Sequence, residues 1–354
     1  MITMRKKTLL IIGEEKITRT RPYVSFLKFV KYVQELKRKG VLEVKVISYA
    51  QLLLGQAPKI EASSIEVVFF FPYKYWNRNI EVYRDGRIYG DEKFGREFKS
   101  FFRKVKKVIN KYYAGKRIRY LNPPQACYLD RDKQGSKNLL SENAVLTPRS
   151  FRISSFDDIQ RLLKKGLNLY IKPRFGAMGK GITCVNRDNV ISNFLYRKGE
   201  VVNRPSDFNW RFSRVKDKQR FLNKLIEKGF ICEEAIASAT FKGRRFDFRV
   251  YVLFGKVVYL YAKSSQAGTS VTNWSQGGRI DKRKTILNTI PREKITVLER
   301  LAKKATRTLG LNFAGIDIIF SKDLKSAYVL EGNAFPGYEK GFDLMKCLLD
   351  SLLR

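Results

Sequence analysis

In the stretch FAGIDIIF, residues 313–320, an aspartate interrupts an apolar run of strand length. A bare carboxylate buried in such a strand is costly unless something positive compensates it. A second strand, 327–330, follows after a Lys-Asp turn and runs on into YVLEGNAFPG, where Glu331 and Asn333 stand two apart and so share one face. The fold must therefore place a cation against Asp317, Glu331 and Asn333. Two carboxylates and an amide oxygen, without thiol or imidazole, form a hard-oxygen set suited to Mg²⁺. Pairing of these acids with nearby Lys or Arg is the alternative.

Composition narrows the chemistry further. The 354 residues include no histidine, which excludes His general acid/base catalysis, Ser-His and Cys-His nucleophile pairs and His-ligated metals. Cys127, Cys184, Cys232 and Cys347 form no CxxC pair, so they read as buried reduced thiols. The N-terminus is too short in apolar residues for a signal peptide or a spanning helix, and the expectation is a soluble, cytoplasmic protein without membrane insertion. Lys and Arg number 71 against 33 Asp and Glu, a formal charge of +38. Residues 99–119 hold nine of the cations and no acid, on what the spacing of Val105, Val108, Ile109 and Tyr112 predicts to be an amphipathic helix. Such a field attracts nucleic acid, acidic protein or polyphosphorylated molecules. With no zinc finger or RNP-type motif, nucleic acid has only the charge in its favour.

Alternating strand and helix patterns (a strand at 7–12, a helix at 26–39, strands at 41–48 and 65–71) predict an α/β domain over residues 1–120. The segment NPPQACYLDRDK, 122–133, marks a boundary, followed by a helix at 133–141. Ser155 and Asp158 form a capping box for the next helix, which Gly166 stops. Strands at 167–172 and 181–185, a strand pair at 246–253 and 256–263, and a helix at 294–309 complete the pattern. Three units are expected: 1–120, a central unit 121–230 and a C-terminal unit 231–354.

Three more segments carry chemistry. In YIKPRFGAMGKGITCV, Gly176, Gly179 and Gly181 free the backbone to approach a ligand, and Lys172 and Lys180 add positive charge. It is not a Walker A loop, since the glycines lead into a strand; it reads as a hairpin tip over phosphates or as an ordinary glycine-rich hairpin. Asp247 and Arg249 leave one face of a strand, where Arg249 is placed to clamp a transferred phosphoryl group. Asn273 with Gly277 and Gly278 suggests a second loop over the same cleft, and FICEEAI, 230–236, ends a strand in acids.

The order of these segments resembles the ATP-grasp superfamily, in particular the ribosomal-protein glutamate ligase type and the spore-coat-associated ATP-grasp proteins, over about residues 122–341. The resemblance implies an α/β (α+β) ATP-grasp fold behind an N-terminal Rossmann-like domain. It implies ATP held by Lys133 (from Arg131-Asp132-Lys133), Lys172, Lys180 and the glycine loop, with the adenine at the hinge of Glu233, Glu234, Ala235 and Ile236. Mg²⁺, one ion or two and replaceable by Mn²⁺, falls to Asp317, Glu331 and Asn333, and catalytic contacts to Arg249, Lys263 and Asn273. Three positions depart from the pattern: Ser275 in place of a His, Lys263 of an Arg, and Glu233 of a Gln.

The implied activity is carboxylate–amine ligation through an acyl phosphate, with an acidic small molecule, peptide or carrier protein as partner. A kinase of a polyphosphorylated small molecule, and a non-catalytic ATP- or nucleic-acid-binding protein, are the other readings. Oligomeric state is not encoded in any of these features.

Overall fold

The computed structural model describes residues 7–14, 24–40, 43–82, 87–205, 210–265, 272, 276–281, 284–336 and 342–353. Strands β1 (Lys7–Gly13), β2 (Glu43–Ser48), β3 (Ser64–Phe69) and β4 (Arg117–Tyr120) form a wholly parallel sheet in the order β2-β1-β3-β4. Both faces are covered, as a parallel sheet requires, so β1 is buried from Thr8 to Gly13 and apolar from Leu9 to Ile12. Leu10 and Ile12 face Phe98, Phe101 and Val105 of the helix Glu92–Tyr112. Leu9 and Ile11 face Phe29 and Val33 of the helix Val24–Arg38 together with Leu344 and Leu348 of the last helix, Leu344–Leu353. The helix Leu344–Leu353 thus packs on the first sheet, although the expected third unit, 231–354, includes it. No helix among the described residues is long and apolar enough to cross a membrane.

A second sheet contains β5 (Ser150–Phe151), β6 (Leu169–Lys172), β7 (Thr183–Val185) and β8 (Val190–Ser192). A separate hairpin follows, β9 (Leu195–Arg197) with β10 (Glu200–Val202). Then β11 (Ser213–Arg214) and β12 (Ile231–Glu234) complete the second sheet in the order β11-β8-β7-β6-β12-β5. The expected boundary at residue 230 therefore falls inside this sheet, because β12 pairs with β6 and β5. The capping box forms as its spacing predicts: Ser155 Oγ accepts from the Asp158 N–H, and Asp158 accepts from the Ser155 N–H.

The third sheet is antiparallel. It consists of β13 (Thr240–Phe241), β14 (Arg244–Leu253), β15 (Lys256–Ser264), β16 (Arg279–Ile280), β17 (Phe313–Phe320) and β18 (Ala327–Asn333). The order is β16-β15-β14-β17-β18, with β13 on β14. One face buries Phe248, Val250, Ile316 and Ile318 against Leu298, Ala302 and Ala305 of the helix Arg292–Thr308. Ala126 and Leu140, from the helices Pro124–Leu129 and Lys133–Glu142, join the same cluster. Asn122 pins this linker to the sheet. Its amide donates to the carbonyls of Phe313 and Ala334 at 2.7 and 3.0 Å, and its oxygen accepts the Asn312 and Phe313 N–H groups.

Candidate active site

The other face of the third sheet looks across a cleft toward the second sheet. Strand alternation decides which side chains reach it. Phe246, Phe248 and Val250 go to the helix-packed side, so Asp247 and Arg249 share the opposite face, where Asp247 lines the cleft. Register then brings charges together: Asp247 opposite Lys263, Arg249 opposite Asp317, and Asp317 opposite Glu331. Lys263 Nζ lies 3.1 Å from Asp247 and 3.0 Å from Asp317. Arg249 holds Asp317 through both carboxylate oxygens, and Thr272 donates to Asp247.

Burial alone would raise the Asp317 pKa, but Arg249 and Lys263 outweigh it and hold the carboxyl well below the usual range. At Asp247 burial wins and the pKa is raised, Lys263 offsetting it only in part while Asp317 adds repulsion. Arg249, expected to reach a transferred phosphoryl group, is turned onto Asp317 instead. The two cations and two carboxylates neutralise each other.

Glu331 lies 3.8 Å from Lys133, and the Asn333 amide nitrogen donates to the Gly315 carbonyl at 3.1 Å. Among the described residues no group of three Cys, Asp or Glu stands ready to hold a metal. The oxygen set is the cross-strand pair Asp317 and Glu331 with the Asn333 amide, and Asp317 is engaged by two cations in this structure. These donors match a hard divalent ion in kind.

The helix Lys133–Glu142 brings Lys133, expected at the phosphates, to the cleft. Its N-cap, Asp132, accepts from the Gly135 N–H at 2.9 Å and takes a bidentate Arg174 at 2.7 and 2.9 Å. That fixes the helix to the segment following β6, and the Lys133 ammonium donates to the Gly176 carbonyl. One turn further on, Lys137 points the same way, 2.9 Å from Glu233, whose other oxygen is 2.8 Å from Lys172. Burial lowers the Lys137 pKa to about 8, against the pull of Glu233. Glu233 is fully buried, yet Lys172 and Lys137 keep its pKa low. Lys137 escaped the sequence reading, although its four-residue spacing from Lys133 was a usable signal.

Residues 173–182 join β6 to β7 as a hairpin, in keeping with the expectation that the glycines lead into a strand. Met178, Gly179 and Gly181 have φ values of 58°, 68° and 74°, and a Cβ on Gly181 would lie 2.8 Å from Phe194 and Pro173. The tip is tied down. Tyr89 Oη accepts the Ala177 N–H at 2.8 Å and donates to the Ala177 carbonyl at 3.2 Å. Gln276 donates to the Met178 carbonyl at 2.9 Å. Lys180, expected on the phosphates, lines the cleft while buried against the Tyr89 ring and ion-paired to Glu81. It anchors the loop to the N-terminal domain.

At the expected hinge, the Glu234 and Ala235 N–H groups already donate to the carbonyls of Arg149 and Asn168, at 2.9 and 2.8 Å. Neither is left for an adenine. Ile236 lines the cleft with Pro148, Tyr170, Ile182 and Leu330, an apolar slot of the kind a flat ring fills. Asn273 lies outside the described residues, while Gln276 beside Gly277 and Gly278 supplies the contact from that loop.

Residues 131–346 match the family model of the YheC/D-like ATP-grasp proteins. A probable alpha-L-glutamate ligase of Shewanella halifaxensis is 27% identical over 256 residues, covering 69% of this chain and 46% of the relative. The chain thus spans about half the length of that relative. The tetrahydromethanopterin:alpha-L-glutamate ligase of Methanocaldococcus jannaschii is 29% identical over 242 residues, 68% of each chain. Among solved structures, the ATP-grasp ligase PsnB, complexed with minimal precursor, Mg and ADP, superposes with a TM-score of 0.54 at 15% identity. The superposition covers 98% of this chain and 96% of that one, a likeness of fold.

Proposed function

The chain belongs to the YheC/D-like ATP-grasp family, and we propose that it is an ATP-dependent carboxylate–amine ligase working through an acyl phosphate. The observation that carries this reading is one juxtaposition: the cross-strand acids Asp317 and Glu331 share a cleft with Lys133 and Lys172. Lys133 and Lys172 hold the nucleotide phosphates, the hairpin at residues 173–182 covers them, and the apolar slot at Ile236, Ile182 and Leu330 takes the adenine. Asp317, Glu331 and Asn333 hold Mg²⁺, which when bound neutralises phosphate charge. Arg249 and Lys263 act as positioning residues that fix Asp317.

In the reaction, a substrate carboxylate oxygen attacks the γ-phosphorus and the bond to the β–γ bridging oxygen breaks, releasing ADP. An amine nitrogen then attacks the acyl carbon, phosphate leaves, and the amine proton passes to phosphate or water. Phosphoryl transfer rests on positioning and charge neutralisation, so a chain without histidine is equipped for it. The names of the relatives favour an amino acid such as glutamate as one substrate, and the same ligase PsnB, also solved with a precursor peptide, favours a peptide as the other. A kinase of a polyphosphorylated molecule would need surplus cations around Arg249 and Lys263, and Asp247 and Asp317 cancel those two.

The test is product analysis with ATP, Mg²⁺, hydroxylamine and pooled amino acids and acidic peptides. ADP together with a hydroxamate, both lost in Glu331→Ala, supports the ligase. ADP with a phosphorylated metabolite and no hydroxamate replaces it with a kinase.

A further inference from the structure

The helix Glu92–Tyr112 lies outside the family match and has no part in the site above. Its inner face is fully used: Phe94, Phe98, Phe101, Phe102, Val105 and Ile109 are buried. Its outer face carries Lys99, Arg103, Lys107 and Lys111, all exposed and each four residues from the next. Among the described residues none of the four forms an ion pair. Lys99 has a ring neighbour, Tyr128, 5.3 Å away. Like charges at this spacing each cost an isolated helix about 0.2–0.5 kcal/mol, so helix formation does not account for them.

From this stripe we infer a docking surface for an extended acidic polypeptide. Four residues of helix advance about 6 Å. Alternate side chains on one face of an extended chain advance about 6.7 Å, so successive acids meet successive cations. The stripe also leads to the cleft. Tyr128, under Lys99, donates to Asp132, which caps the helix bearing Lys133. A single-stranded nucleic acid would instead need exposed rings for its bases to stack on. Phe101 and Phe102 are buried, and the exposed Tyr112 has its hydroxyl committed to the Gly55 carbonyl at 2.7 Å.

The test is fluorescence anisotropy without ATP, so it stands or falls apart from the ligase reading. Fluorescein-labelled polyglutamate and oligo-dT, each about ten residues long, are titrated at about 50 and about 200 mM salt. The proteins are wild type, the stripe variant K99Q/R103Q/K107Q/K111Q, and a charge-matched control, K31Q/K37Q/R300Q/K303Q. Polyglutamate should bind wild type and the control alike and the stripe variant at least about tenfold more weakly. Equal binding by the stripe variant, or equal loss in stripe and control, overturns the proposal. Tighter binding of oligo-dT with the same stripe dependence overturns it in favour of nucleic acid. On the unmodified protein, polyglutamate should slow amide exchange in the helix Glu92–Tyr112, and protection confined to other elements also overturns it.

Discussion

Arg249 and Asp317 stand directly opposite each other in the antiparallel register of β14 and β17, joined by two hydrogen bonds, Nη2 to Oδ2 at 2.6 Å and Nε to Oδ1. The charge that makes Asp317 tolerable in an apolar strand thus comes from the neighbouring strand. A divalent ion placed there must share that carboxylate with Arg249 and Lys263.

Removing one member of a buried pair leaves the other uncompensated, at a cost of about 3–5 kcal/mol. Arg249→Met leaves Asp317 with Lys263, which Asp247 also engages, so the loss in urea denaturation should fall toward the lower end of that range, about 3 kcal/mol. The double variant Arg249→Met/Asp317→Leu, with neither charge left, should recover much of it. A single variant no less stable than the double would contradict the ion pair as the reason for this geometry.

The Lys137–Glu233–Lys172 cluster should set an alkaline limit on the proposed nucleotide binding. Below about pH 8 Lys137 is charged and shares Glu233 with Lys172. Above it Glu233 draws on Lys172 alone, so ATP affinity should fall, and Lys137→Gln should lack that alkaline arm. Stability moves oppositely. Burial depresses the folded-state value from 10.5 to about 8, so the protein gains stability as the pH rises across that window. Calorimetric ATP titrations and urea melts from pH 7 to about pH 10 read both signs.

Tyr89 holds the glycine hairpin from the N-terminal domain. Tyr89→Phe loses both hydrogen bonds to Ala177, a net loss of about 1 kcal/mol and about a fivefold rise in the open population. ATP hydrolysis without acceptor should rise as water enters, with little change in thermal stability. Unchanged hydrolysis would mean that the hairpin does not gate the cleft.

How much of this was legible in the sequence follows from the range of each interaction. Asp317, Glu331 and Asn333 stood out because polar groups in apolar strands are costly, and the capping box at Ser155 was legible because both partners lie within one turn. The Lys180–Glu81 pair was not. Glycine on both sides of Lys180 points to phosphate as readily as to a carboxylate of another domain. The placement of β12 in the second sheet and of the last helix on the first sheet depends on long-range packing, which local periodicity does not carry. Lys137 was within reach, since its spacing from Lys133 was visible, but its partner Glu233 is supplied by a strand far along the chain.

In the proposed site, metal-bound ATP lies between Lys133 and Lys172 on one side and Asp317, Glu331 and Asn333 on the other. Isothermal titration of a non-hydrolysable ATP analogue, with and without Mg²⁺, tests it most directly in wild type and Glu331→Ala. Wild type should bind the analogue, and Mg²⁺ should tighten binding by about tenfold or more, roughly 1.4 kcal/mol. Glu331→Ala should keep the metal-free affinity and lose the increment. No binding by wild type, or an undiminished Mg²⁺ increment in the variant, would contradict it.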